Sequence, residues 1–273
     1  MKLAYPFLTE ETEKKLLGFK GNMEEVFPTL KDLGYIGIEP LVRNPRKINT
    51  LLFTKLVDKY NLEIAAIGTG PIVSDDQLTF TSNSANKRKA AIDRAKEVVE
   101  FASLFDCPIN IGKLRGDIHK DQPEQSWLWL REGIEQVCEH ADKYKVKVAL
   151  EPQNRKVINN LNTTQEALTF IQKTNMANLK LMLDIYHMYI EDQSIEESLV
   201  AAKDYFIYIH IADHNRKAPG KGNLGFNKIF QVLKELNYGG FITPEILQEL
   251  SSYEEAKSAS NYLSTLNLEE NII

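Results

Sequence analysis

The stretch Tyr205-Phe-Ile-Tyr-Ile-His-Ile-Ala-Asp-His-Asn-Arg-Lys-Ala-Pro-Gly-Lys-Gly222 begins as an apolar run and ends as a polar loop. Its first half reads as a buried strand, with His210 near the carboxyl end. Pro219, Gly220 and Gly222 then provide the turn chemistry of a loop. A strand that delivers polar side chains at its carboxyl end is how α/β proteins build sites.

Working outward, the same alternation of short apolar run and helical period repeats along the chain. The runs Leu3–Tyr5, Tyr35–Glu39, Glu63–Ile67, Pro108–Ile111, Val146–Glu151, Leu179–Asp184, Tyr205–Ile211 and Phe241–Glu245 predict eight strands. Helical spacing predicts helices over Met23–Leu33, Leu51–Tyr60, Asn86–Leu104, Gln125–Tyr144, Thr164–Thr174, Ile195–Ala202 and Phe226–Leu236. Eight βα units in roughly 250 residues predict an α/β fold, a (β/α)8 TIM barrel, rather than an open doubly wound sheet. No composition shift or Pro/Ser-rich linker interrupts the 273 residues, which predicts a single domain over 1–273. Gly70–Ser84 reads as the longest structureless stretch, a plain loop or a lid over the third strand.

Composition narrows the partners. With 43% apolar and 26% charged residues the chain can bury a substantial core. A net charge of −5 without a basic stripe argues against nucleic acid as the main partner. No apolar run approaches membrane-spanning length, and the amino terminus lacks a signal-peptide core. Cys107 and Cys138 lack metal or redox spacing and read as buried hydrophobes of a reducing compartment, so the expected location is cytoplasmic.

Barrel strands are expected to be apolar on both faces, so ionisable residues at their ends call for a cause. Glu151, Asp184, His210 and Glu245 end four successive strands, each about one βα repeat after the last. Any one of them alone could be a strand-terminal group bonded to a neighbouring loop. Three carboxylates converging would repel one another, and one divalent cation would resolve that. Three oxygen donors and one nitrogen suit Mn²⁺ or Mg²⁺ first, then Co²⁺ or Zn²⁺.

With these residues in view, the chain resembles the xylose isomerase-like barrels of sugar phosphate isomerases and epimerases, including ketose 3-epimerases and hydroxypyruvate isomerases. The resemblance is carried by Leu150-Glu-Pro-Gln-Asn-Arg155 with Leu161-Asn-Thr163, and by Leu183-Asp-Ile-Tyr-His-Met188 with Ile190-Glu191. His210-Ile-Ala-Asp-His-Asn-Arg216 with Pro219-Gly-Lys-Gly222, and Glu245, complete it. It implies Glu151, Asp184, His210 and Glu245 as metal ligands, with Glu151 and Glu245 also exchanging protons with the substrate. It further implies His187 and Arg216 as contacts to substrate oxygens, and a homodimer or homotetramer. The expected activity is metal-dependent isomerisation or epimerisation of a small ketose or related polyhydroxy carbonyl compound through an enediolate. A dehydratase of the inosose or dehydroshikimate type is the alternative on the same barrel; an endonuclease IV-like hydrolase would need more than the five histidines present.

The chain departs from the pattern at one place. Many ketose 3-epimerases resemble Glu-x-x-Asn-Arg-x-Glu here, whereas Glu151-Pro-Gln-Asn-Arg-Lys-Val157 ends in valine. A carboxylate grip on a substrate hydroxyl is thereby lost. Lys113, Arg115 and Lys156 point to an anionic substrate, a sugar acid or phosphate, with Arg115 at the mouth as a substrate contact or paired to a neighbouring carboxylate. Glu39, ending the second strand, is either a partner for the polyol or a buried structural carboxylate. His119 and His214 read as loop histidines, and Trp127 and Trp129 as packing or a subunit contact.

Overall fold

Side chains alternate faces along a strand, and here the alternation separates two environments. A computed structural model describes residues 1–15 and 17–266. Its strands are β1 (Lys2–Leu8), β2 (Phe19–Lys20), β3 (Gly37–Leu41), β4 (Glu63–Ile64), β5 (Ile67–Gly68), β6 (Ile109–Ile111), β7 (Val148–Leu150), β8 (Leu179–Asp184), β9 (Phe206–Ile211) and β10 (Phe241–Pro244). Helices α1 (Met23–Asp32), α2 (Thr50–Lys59), α3 (Gly70–Asp76), α4 (Ala85–Ser103) and α5 (Pro123–Lys143) lie in the first half. Helices α6 (Thr164–Thr174), α7 (Ile185–Glu191), α8 (Ile195–Ala201), α9 (Phe226–Glu235) and α10 (Ser252–Ser264) follow. Strand β1 pairs in parallel with both β3 and β10, which closes the sheet into an eight-stranded parallel barrel. Strands β4 and β5 are two halves of one barrel strand, and β2 is a short addition against β1.

Leu181 and Leu183 of β8, Ile209 and Ile211 of β9, and Val148 and Leu150 of β7 belong to the large apolar core beneath the helices. The intervening positions form a smaller interior cluster of Ala4, Ala65, Ala66, Ala149, Met182 and Tyr208. Asp184, His210 and Glu151 continue that interior parity by two residues from Met182, Tyr208 and Ala149. The strand period therefore carries these polar side chains into the barrel mouth.

Three differences from the sequence reading have local causes. The expected strand Glu63–Ile67 is interrupted at Ala65 and Ala66, giving β4 and β5. Gly70–Ser84 is not structureless: α3 starts on Gly70-Pro71, with proline in its first turn. It is no open lid either, since Ile72, Phe80 and Thr81 are buried and the Phe80 N–H donates to Leu114 O at 2.9 Å. Helix α10 was missed although Ser251 caps it by accepting from Glu254 N. It returns to the start of the chain, where Tyr35 Oη donates to Ala256 O at 2.7 Å. Among the described residues, no helix is long and apolar enough to cross a membrane.

Candidate active site and metal centre

Strand register builds the site. Asp184 on β8 is paired with His210 on β9, and His210 with Thr243 on β10. The Glu151 N–H donates to Ile111 O at 3.0 Å and the Glu245 N–H to Ile211 O at 3.1 Å, fixing both residues just past their strands. Adjacent strands are about 4.8 Å apart, so four side chains on one rim must meet. One ligand-type atom from each of Glu151, Asp184, His210 and Glu245 lies within 4.8 Å of the others.

Each side chain is oriented by neighbours. Glu151 Oε2 accepts from Gln153 Nε2 at 2.8 Å. A Cβ at residue 112 would stand 2.5 Å from Glu151 Oε2 and 2.8 Å from Gln153 Nε2, so glycine is required there. His210 Nε2 donates to Glu39 Oε2 at 2.6 Å, which turns Nδ1 towards the cluster, 3.8 Å from Glu245 Oε2. Tyr208 Oη also donates to Glu39 Oε2, at 2.9 Å. Its only proton is thereby used, so the 2.5 Å contact with Thr243 Oγ1 has threonine as donor. His187, on α7, is placed by the cap in which Asp184 Oδ1 accepts from the Tyr186 N–H.

Electrostatics follow from crowding. Burial raises the Glu151 carboxyl to about 8, with Glu245 and Asp184 adding repulsion. Burial also raises Glu245. For Asp184, burial opposes ionisation, but the charges of Arg216 and His210 and the hydrogen bond from Arg216 outweigh it and hold the group at about 2. Burial opposes the His210 imidazolium, yet Glu39, then Glu245 and Glu151, raise it to about 10. Arg216 Nη1 stands 2.6 Å from Asp184 Oδ2 and 3.0 Å from Glu245 Oε2, with the guanidinium over the Tyr186 ring.

The residues fit a divalent cation. Glu151 Oε1 and His210 Nδ1 are buried without a hydrogen-bond partner, a costly state unless something else satisfies them. A histidine bonded through its far nitrogen to a carboxylate is also the usual setting of a metal-bound imidazole.

The other residues singled out in the sequence fall elsewhere. Glu39 is fully buried behind His210 and Tyr208, both of which donate to its Oε2. Arg115 is fully enclosed as well, and its donors go to Gly112 O, Glu151 O, Asn160 Oδ1, Asn160 O and Leu161 O. Five protein acceptors thus engage the buried guanidinium. His119 Nε2 contacts Thr81 O, and His214 packs edge-on to Tyr189. Lys113, Lys156 and the half-buried Val157 lie on the loops that follow β6 and β7.

Sequence reasoning missed Gln153, Asn154, Tyr208 and Asp213. Asp213 shapes the loop carrying Arg216 by accepting from the N–H groups of His214, Gly220, Gly222 and Leu224. A Cβ at residue 222 would stand 2.2 Å from Asp213 Oδ1, so the glycine and the aspartate form one device. That pairing of an aspartate with later glycines was a readable signal.

Comparison with known proteins agrees with this architecture. The family described as xylose isomerase-like TIM barrel matches residues 27–265. The chain is 30% identical over 217 residues to an L-ribulose 3-epimerase of Methylomonas sp., covering 78% of this chain and 74% of that one. It is 25% identical over 232 residues to a probable ketose 3-epimerase of Synechocystis sp., covering 83% and 79%. The crystal structure of a 3-keto-D-glucoside 4-epimerase from E. coli in its apo form superposes with a TM-score of 0.80 at 19% identity, covering 98% of this chain and 99% of that one. By its sequence and its barrel, this chain belongs to the xylose isomerase-like TIM barrel family.

Proposed function

We propose that the protein is a divalent-metal-dependent epimerase of a small ketose or related keto-sugar, an isomerase-class enzyme. The observation that carries this is the buried group of Glu151, Asp184, His210 and Glu245, in which Glu151 Oε1 and His210 Nδ1 have no partner. The relatives, named as epimerases of ketoses and of a keto-glucoside, support the same class. In this reading the four residues hold the cation, Mn²⁺ or Mg²⁺ first and Co²⁺ or Zn²⁺ next. When bound, the cation would stabilise negative charge on the two substrate oxygens of an enediolate.

The chain's own groups do the rest. Glu151 and Glu245 take a proton from the carbon beside the carbonyl on one face and return it on the other, which inverts that carbon. His187 and Arg216 hold substrate oxygens, while Glu39 keeps His210 turned towards the cation. Glu39→Gln is expected to weaken Mn²⁺ binding about 10- to 100-fold, read by calorimetric titration. Unchanged affinity would remove Glu39 from this role.

Turnover of candidate ketoses in deuterated water tests the reaction. Deuterium entering at the epimerised carbon without loss of water is expected. An enone absorbance would identify the dehydratase instead, and activity that survives chelation would sink the metal assignment. Multi-zinc hydrolysis is disfavoured because His119, His140 and His214 are engaged with Thr81, Glu100 and Tyr189, away from the cluster. With Arg115 sequestered, an anionic substrate would rely on Lys113 and Lys156, both exposed. The same reading has the chain work as one domain in the cytoplasm. A homodimer or homotetramer is supported by the exposed Trp127 and Leu128 on α5.

A further inference from the structure

Lys156, Asn154, His187 and Arg216 form a chain of hydrogen-bonding groups whose two ends both donate. At one end the Lys156 main-chain N–H donates to Asn154 Oδ1 at 3.0 Å. A main-chain amide cannot reverse its polarity, so the Asn154 carbonyl must face it. The NH2 half of the same side chain then faces His187 Nδ1 at 2.8 Å. Since an amide nitrogen only donates, His187 Nδ1 must accept. A ring whose Nδ1 accepts carries no proton there, so it is the neutral imidazole. Its single proton is left on Nε2.

At the other end Arg216 Nη2 stands 2.8 Å from that Nε2. A guanidinium has no acceptor, so two N–H groups face each other. Arg216 is held there by Asp184 and Glu245, not by the imidazole. The carboxylates nearest to His187 Nε2 are Glu151 at 3.7 Å and Asp184 at 3.8 Å, too far to accept its proton. Two donors that converge and cannot bond each other are complementary to one shared oxygen.

We infer that Asn154 is a positioning residue that fixes His187 as the Nε2–H tautomer, so that His187 and Arg216 act as paired donors to a single electron-rich oxygen of the substrate. This rests on the reading that a polyhydroxy carbonyl compound binds at the cluster. A carbonyl oxygen that gains negative charge as the neighbouring proton leaves is the acceptor such a pair serves best. The specificity falls on substrates with an acceptor at that point, because an analogue lacking it leaves two buried donors unpaired.

The test is a two-bond proton–nitrogen correlation spectrum of Mg²⁺-loaded protein labelled with ¹⁵N in histidine, the His187 signals being assigned by their loss in His187→Gln. The wild type is expected to carry its proton on Nε2. In Asn154→Asp a carboxylate accepts from both Lys156 N–H and His187, so a proton moves to Nδ1. With Nε2 no longer a free donor, kcat/KM is expected to fall about 10- to 100-fold while the melting temperature holds. A merely structural asparagine would shift the melting temperature and leave the tautomer alone. A wild-type proton on Nδ1, or an Asn154→Asp spectrum identical to wild type, overturns the inference without touching the proposed activity. The converse case is equally visible: the expected tautomer in a protein that turns over no ketose would fault the substrate class and leave the Asn154 assignment standing.

Discussion

Glu151→Gln and Glu245→Gln are each expected to lower net epimerisation about a thousand-fold or more, with the fold intact. General acid or base action alone is worth about 10²- to 10⁴-fold, and each substitution also replaces a charged, proposed cation ligand by a neutral amide. Glutamine keeps the volume, and neither residue lies within a barrel strand, so circular dichroism and the melting temperature should match wild type. The two variants are distinguishable by isotope exchange. If the carboxylates serve opposite faces of the carbon, Glu245→Gln still removes deuterium from the epimer whose proton faces Glu151, and Glu151→Gln does the reverse. Net conversion fails in both, because each lacks one of the two transfers. A variant that retains a near wild-type rate leaves its residue without a role in proton transfer. Loss of exchange from both epimers in both variants would point to cation loss rather than to missing bases, which a metal titration then separates.

The barrel and its rim were legible in the sequence for one physical reason. A strand with two buried faces has no cheap place for a charge, so Glu151, Asp184 and His210 stood out against Val148-Ala-Leu, Leu181-Met-Leu and Tyr208-Ile. Their spacing by about one βα repeat then put them on the same rim. Glu39 carried the same local signal and could not be separated from them. Its role depends on Tyr208 and His210, which reach it across 169 and 171 residues of chain. Arg115 sat on a mouth loop, as read, but its direction is decided by carbonyls of the loop after β7 that no local pattern announces. Helix α3 was hidden because Gly70-Pro71 reads as a loop and also starts a helix. The Asn154 chain was invisible for a different reason: hydrogen-bond polarity exists only once the partners are adjacent.

Arg115→Met is expected to destabilise the protein by about 3–5 kcal/mol, against little change if the arginine were a substrate contact. The guanidinium is 0% exposed, and burial pulls it down to about 10. Its Nη1 donates to Gly112 O at 2.9 Å and Glu151 O at 2.8 Å, while Nε donates to Asn160 Oδ1 at 2.9 Å. These bonds tie the turn after β6 to the long loop after β7, two segments whose main-chain carbonyls have no strand partner there. Methionine fills much of the space and satisfies none of the acceptors, each of which costs about 1–3 kcal/mol when buried alone. A fall in melting temperature of roughly 10 °C is expected for a chain of this size. Arg115→Lys should recover only part of it, since one ammonium cannot reproduce the planar fork. Because Glu151 O is one of the acceptors, loss of the staple also loosens a proposed cation ligand, so Mn²⁺ affinity should fall together with stability. A raised KM at an unchanged melting temperature would restore Arg115 to the substrate; a joint loss of stability and metal affinity places it beneath the site as its support.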